Sequence, residues 1–288
     1  MTALSTRDRY RAFAARYLDK PTLALPLPPW LMRMIFEAQS GISGRAPSLP
    51  VRWEVIGGVR CRIVAPDGPV ERRLLWLHGG GFVIGSPRTH RALTDRLAQV
   101  ACAEVIAPDY RLAPEHPFPA AVEDCCAVAR ALAPGFHLGG DSAGGTLALA
   151  VLQEMLSRGA SPATLLLISP LAYFDPRRRP AAAYDEMLLP DAFLRRCGAA
   201  YGTGADPDDP RLSPIKGDYA GCPPVHIELS KGEVLEADGL ALADLLRAQG
   251  TAVDVVQQPG MPHVYHLSAG FAPAADAGVA RLAAAMGA

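Results

Sequence analysis

Short apolar runs alternate with amphipathic stretches along most of the chain. The runs lack a clean alternation of polar residues, which is typical of strands covered on both faces; they are Leu74–Leu77, Val105–Ala107, Phe136–Gly139, Thr164–Ser169, Val225–Ser230 and Val253–Gln257. The helical stretches are Arg91–Val100, Ala120–Leu132, Gly144–Arg158, Leu240–Gln249 and Ala274–Met286. This alternation predicts an α/β fold with a mostly parallel central sheet flanked by helices. Ligands of such sheets bind at the carboxyl ends of the strands.

Two segments do not follow this alternation. Residues 1–50 have helical patterns with large apolar side chains and predict an N-terminal helical cap segment, which leaves 51–288 as the main α/β domain. Residues 175–215 are rich in Pro, Asp and Arg, with a short helical patch at Asp191–Tyr201. We interpret this second segment as a cap or lid insertion.

Charge and hydropathy exclude several classes of partner. The 288 residues include 28 basic and 29 acidic side chains, a formal net charge of -1, which gives no reason to expect nucleic acid or an anionic membrane as a partner. The local basic run Arg177–Arg179 is interpreted as a solvated loop. The N-terminus lacks the apolar core of a signal peptide, and no window approaches the roughly 18 apolar residues of a membrane span. We therefore expect no stable membrane insertion and a cytoplasmic location.

The strongest local signal is the stretch Gly140-Asp141-Ser142-Ala143-Gly144, which fits G-x-S-x-G between a predicted strand and a predicted helix. This is the context of a nucleophile elbow, a sharp turn whose flanking glycines let strand and helix pack closely. The helix N-terminus favours negative charge in such a site. A tight turn with a capping serine is the alternative, and the context favours Ser142 as a nucleophile.

A serine nucleophile needs a base, which a carboxylate orients in turn. Acid and base are expected later in the chain, acid first, each on a loop after a strand. His263 follows the last predicted strand and is the predicted base; His266 competes with it but is expected to pack or cap. Glu233 directly follows a predicted strand and is the favoured acid, Asp238 is the alternative because it could also cap the next helix, and Glu236 is third.

Three consecutive glycines, Gly79–Gly81, follow His78 at the end of an apolar run. Missing side chains let a ligand approach the backbone, and that ligand could be a phosphate or a developing oxyanion. The chain has no nucleotide-binding glycine motif and no H-E-x-x-H metal motif, and its six cysteines lack metal spacing. We therefore predict an oxyanion hole completed by the N–H of Ala143, with no metal.

With these residues assembled, the chain from about residue 70 onward resembles the hormone-sensitive-lipase-like branch of the α/β-hydrolase superfamily, the bacterial family IV esterases. The resemblance rests on motifs in the family's order: HGGGF at 78–82, DYRLAPEHPFPAAVED at 109–124, GDSAGG at 140–145, SPLAYFD at 169–175, GEVLEADG at 232–239 and GMPH at 260–263.

This resemblance implies an α/β-hydrolase catalytic domain at 51–288 and a serine carboxylesterase that hydrolyses short- to medium-chain acyl esters without a cofactor. It maps the nucleophile to Ser142, the base to His263 and the oxyanion donors to Gly80, Gly81 and Ala143. The family's acid motif usually begins with Asp, whereas this chain has Glu233 there. A small-molecule ester is the implied partner, and related enzymes suggest a homodimer.

Three further readings stay open at this stage. In the cap, Trp30, Met34 and Phe36 are candidates to line the acyl or alcohol pocket, with simple packing onto the core as the alternative. A non-catalytic small-molecule receptor on the same scaffold would lack a catalytic histidine, and this chain retains His263. An amidase with the same triad is not excluded by the sequence.

Overall fold

The computed structural model describes residues 4–174 and 185–287. Eight strands form one sheet in the order β1-β2-β4-β3-β5-β6-β7-β8, parallel from β4 to β8 and antiparallel at β1 and β2. The strands are β1 Val51–Ile56, β2 Val59–Val64, β3 Arg72–Leu77, β4 Ala103–Pro108, β5 His137–Asp141, β6 Leu165–Ile168, β7 Val225–Ser230 and β8 Val253–Gln258. The predicted α/β architecture with a mostly parallel central sheet is confirmed.

Helices cover both faces of this sheet, because the central strands are apolar along their whole length and cannot face water. All six predicted strands and all six predicted helices from Arg91 onward are present, with boundaries shifted by at most four residues. The helices are α1 Thr6–Ala14, α2 Lys20–Ala24, α3 Pro29–Ser43, α4 Arg91–Val100, α5 Ala120–Ala131, α6 Ala143–Ser157, α7 Asp191–Tyr201, α8 Glu236–Ala248 and α9 Pro273–Ala285.

The hairpin β1–β2 was not anticipated by the apolar pattern. It turns at Gly57 and Gly58, both with positive φ, and β2 pairs with β4 on its other side. A Cβ at Gly57 would lie 2.3 Å from the carbonyl oxygen of Ala127, so the turn packs directly onto α5. The hairpin extends the sheet at the edge far from β8.

The N-terminal residues are helical, as the pattern predicts. Helix α1 begins with a capping box in which Ser5 and Asp8 bond each other's backbone N–H groups, and a π-helical turn, Ala15–Asp19, joins it to α2. Asp8 also accepts from the Ala274 N–H at the start of α9, which fastens this segment to the main domain. The domain boundary at residue 50 stays a prediction, and the Arg177–Arg179 run lies outside the described residues.

No helix in the described ranges is long and apolar enough to cross a membrane.

Candidate active site

The turn between β5 and α6 holds Ser142 with φ 54° and ψ −122°, a conformation that costs a non-glycine residue free energy. Glycine is required on both sides of it. A Cβ at Gly140 would lie 2.3 Å from the carbonyl oxygen of Gly144, and one at Gly144 would lie 2.0 Å from that of Leu77. The serine is therefore presented at the carboxyl end of the sheet, at the N-terminus of α6.

His263 and Glu233 meet on the neighbouring loops. His263 Nδ1 donates to Glu233 Oε2 at 2.5 Å, and Glu233 Oε1 accepts from the Ser230 N–H at 2.8 Å and from Ser169 Oγ at 2.6 Å. Burial alone would lower the pKa of His263, but the negative charge of Glu233 and its hydrogen bond outweigh burial and raise that pKa. The carboxylate fixes the ring with Nε2 free to act.

The other candidates have different partners. Asp238 Oδ2 accepts from the N–H groups of Ala172 and Tyr173, both at 3.1 Å. Glu236 accepts from the Gly232 N–H at 2.8 Å and from Gln257. His266 is fully buried beneath the loop that carries His263. Of the three acids considered, Glu233 is the one bonded to His263.

Ser142 and His263 line one cavity together with Gly79, Gly80 and Gly81. His263 Nε2 is buried and has no hydrogen-bond partner among the described residues. A buried polar atom without a partner is uncommon in a native structure and marks a place where a ligand group can bond. His263 Nε2 is therefore an acceptor within the cavity that Ser142 also lines.

The glycine loop has the backbone conformation that oxyanion donors need. Gly80 and Gly81 have φ values of +123° and +61°, and their N–H groups, like that of Ala143, make no hydrogen bond within the part of the chain described. A tight turn holds the loop, because the N–H groups of Val83 and Ile84 both bond the Gly80 carbonyl oxygen. The three predicted donors are therefore available to a substrate oxygen.

Asp141, the variable residue of G-x-S-x-G, has a role that sequence analysis missed. Its buried carboxylate accepts from Trp76 Nε1 and the Gly79 N–H, each at 3.1 Å, and lies 3.1 Å from His90 Nε2. Burial would raise its pKa, but His90, with the lesser contributions of its neighbours, holds the pKa of Asp141 below its usual value. Asp141 thus links the glycine loop to the turn that carries Ser142. In the sequence, the signal for this role was an acidic residue inside the G-x-S-x-G motif.

Arg33 of helix α3 also reaches the end of the glycine loop and was not predicted. From α3 it donates to the carbonyl oxygens of Val83 and Ala113, both at 2.8 Å, and pairs with Glu115 at 2.7 Å. In the sequence, the only signal for this role of Arg33 was a single positive charge among the apolar residues of the helix. Helix α3 therefore braces the end of the glycine loop.

Two cavities of about 80 Å³ each meet at Ser142. The first includes Ala143 and the apolar residues after Glu233; the second includes His263 and Phe36 of helix α3. Trp30 and Met34 are not brought to either cavity and are 58% and 62% exposed. Helical periodicity explains the difference, because Trp30 and Met34 share the outer face of α3, whereas Met32 and Phe36 share its inner face.

In the described ranges, no three His, Cys, Asp or Glu side chains are grouped so that they could hold a metal ion. All six cysteines are free thiols.

Known proteins resemble this chain over most of its length. Residues 74–267 match a family model of the α/β-hydrolase fold. An acetyl-hydrolase of Streptomyces hygroscopicus is 41% identical over 220 residues, 73% of this chain and 74% of that protein. The esterase LipU of Mycobacterium tuberculosis is 31% identical over 285 residues, 89% of this chain and 94% of that one.

Solved structures extend the likeness to the whole fold. The crystal structure of an esterase from the bacterial hormone-sensitive lipase family has a TM-score of 0.90 and 30% identity, and covers 99% of this chain and 98% of its own. A hormone-sensitive lipase from a metagenome library has a TM-score of 0.87 and 34% identity, and the match covers 95% of this chain and 97% of that one. The chain therefore belongs to the α/β-hydrolase fold family, in its hormone-sensitive-lipase branch.

Proposed function

We propose that this chain, a carboxylic ester hydrolase, cleaves short- to medium-chain acyl esters through an acyl-enzyme formed on Ser142. One observation carries the proposal: Ser142 and the unpartnered Nε2 of His263 line the same cavity, while Glu233 holds the opposite ring nitrogen. A nucleophile, a base and an orienting acid in this relation are what acyl transfer requires.

In the first half-reaction, His263 Nε2 accepts the proton of Ser142 Oγ as that oxygen bonds to the ester carbonyl carbon. The carbonyl oxygen becomes an oxyanion, and the N–H groups of Gly80, Gly81 and Ala143 stabilise it. The intermediate then collapses: the bond to the alkoxy oxygen breaks, and His263 returns the proton to the leaving alcohol. Water repeats the sequence on the acyl-enzyme and releases the acid.

The return of the proton by His263 indicates which cavity takes which half of the ester. Since His263 must protonate the leaving oxygen, we assign the cavity that includes His263 and Phe36 to the alcohol part of the ester. The other cavity, which includes Ala143, Val234 and Leu235 but not His263, takes the acyl chain. At about 80 Å³ each, both favour the short end of the proposed range.

The test is hydrolysis of p-nitrophenyl esters of increasing acyl length, with an organophosphate as a label. We expect wild-type protein to hydrolyse the short esters best and to form one adduct per chain on Ser142. Ser142→Ala and His263→Ala should lose at least about 1000-fold in kcat, since the triad acts as a unit, and Ser142→Ala should form no adduct. Unchanged hydrolysis by Ser142→Ala would overturn the proposal, and absence of both hydrolysis and adduct in the wild type would identify a binding protein.

A further inference from the structure

A buried charged cluster lies directly under the loop that carries His263. Glu228 of β7 is fully buried, and Arg281 of α9 donates to both of its oxygens, at 2.6 and 2.8 Å. Tyr265 Oη donates to Oε2 at 3.0 Å, and His226 Nε2 lies 3.0 Å from Oε1. Burial alone would raise the pKa of Glu228, but the interactions with Arg281, His226 and His266 hold it well below its usual value, so the carboxylate stays charged.

The loop above this cluster is strained. Val264, between His263 and Tyr265, has φ 48° and ψ 46°, the left-handed conformation, although it is β-branched. A β-branched residue there is an outlier, and such strain persists only where surrounding contacts over-determine it. A local contact must therefore hold the backbone one residue after His263.

Strand β7 supplies such contacts on both sides of His263. Ser230 Oγ donates to the carbonyl oxygen of Pro262 at 2.7 Å, just before the histidine, and Glu228 accepts from Tyr265 just after it. Helix α9 closes over the second contact. A Cβ at Gly278 would lie 2.4 Å from His266 Nε2 and 3.2 Å from Tyr265 Oη, so glycine lets the helix sit directly on both rings.

We propose that Glu228 and Tyr265 are positioning residues for the hydrolysis: their hydrogen bond holds Val264 in the left-handed conformation and thereby aims His263 Nε2 at Ser142. The inference rests on the proposed role of His263. It assigns to the buried carboxylate a role in the rate, beyond any contribution to stability. Neither side chain lines either cavity at Ser142, so they act through the backbone.

The test is a double-mutant cycle between Tyr265→Phe and Val264→Gly, measured as kcat and KM for a short p-nitrophenyl ester. Alone, Tyr265→Phe should lower kcat by on the order of 10-fold and leave KM within about twofold, because a small misplacement of a catalytic group costs rate. Glycine adopts the left-handed conformation without strain. In the Val264→Gly background, Tyr265→Phe should therefore lower kcat by less than about twofold.

His226→Leu is the matched control, because it removes another hydrogen-bonding partner of the same carboxylate but does not touch the loop. It should lower the melting temperature about as much as Tyr265→Phe while keeping kcat within about twofold of wild type. Equal losses of kcat in the two single variants, or an equal cost of Tyr265→Phe in both backgrounds, would overturn the inference. Ser142→Ala, run in the same assay, separates the two proposals. If Ser142→Ala is inactive, the serine mechanism stands, and either of these overturning results counts only against the positioning role of Glu228 and Tyr265.

Discussion

Gly81, a proposed oxyanion donor, packs with its Cα against helix α7. A Cβ there would meet Cys197 Sγ at 2.6 Å, and the φ of +61° disfavours any side chain. We expect Gly81→Ala to shift the donor and lower kcat by on the order of 100-fold, the size of loss seen when one oxyanion donor is removed. Because a thiol is the obstacle, Cys197→Ala should restore part of that rate. Steady-state kinetics of the double variant checks this.

Gly80→Ala serves as the comparison. Its new Cβ would lie 2.1 Å from the backbone carbonyl oxygen of Ile84, which no side-chain movement can relieve, at a φ of +123°. We expect a lower melting temperature as well as a lower rate, with no rescue by Cys197→Ala. Rescue of Gly80→Ala by Cys197→Ala would contradict the steric account of the loop.

The pH dependence of the rate reports on Glu233. A base works only when it is neutral, so a raised pKa of His263 places the acid limb of kcat/KM above the ordinary histidine value of 6.5. Glu233→Gln removes the charge that raises this pKa. The acid limb should move to lower pH while the plateau falls by on the order of 1000-fold or more, through loss of the correct tautomer. A pH profile with an unmoved acid limb would show that Glu233 does not set this pKa.

Residue by residue, the sequence was most informative where chemistry is local. The positions of Ser142, Glu233 and His263 could be predicted because each lies in the turn or loop that directly follows a strand. The contacts of Asp141, Arg33 and Glu228 could not, since their partners are remote in sequence: Trp76 is 65 residues from Asp141 and Arg281 is 53 from Glu228. A polar residue's partners depend on which elements the fold brings together.

At the scale of elements, helix α3 divides its large side chains between the cavity proposed for the alcohol and the surface. We expect Phe36→Ala to enlarge this cavity and to raise kcat/KM for butyrate esters of longer alcohols relative to ethyl butyrate. Trp30→Ala and Met34→Ala are matched controls on the outer face and should leave the ratio within about twofold, the scatter usual for surface substitutions. A series of ethyl, butyl and hexyl butyrates measures the ratio. Equal shifts in all three variants would contradict the division of faces.

Elements buried on both faces were predictable, and the β1–β2 hairpin was not. Its first strand is largely exposed, and Trp53 packs under Arg60, with 4.1 Å between ring centroid and guanidinium carbon. Such a strand lacks a continuous apolar run, and β2 joins the sheet by pairing with β4, some 45 residues later. Its place depends on hydrogen bonding to a remote strand.

For the whole molecule, acid stability should depend on Glu228. Its pKa is lowered in the folded protein, so its contribution is present above the unfolded value of about 4.5 and is lost as the pH falls below it. Glu228→Gln should lower the melting temperature at pH 7, and the difference from wild type should narrow towards pH 3. Glu71→Gln, at a carboxylate 77% exposed, is the control and should follow wild type throughout. A constant difference across this range would contradict the linkage.

Leu194 of α7 lines both cavities, the one proposed for the acyl chain and the one proposed for the alcohol. A change of volume there alters room for both halves of an ester at once, while its neighbours Phe193 and Cys197 each line one cavity only. For directed evolution, a library randomised at this single codon would sample combinations of acid and alcohol in one round. The codons of Phe193 and Cys197 would then tune one half each, independently of the other.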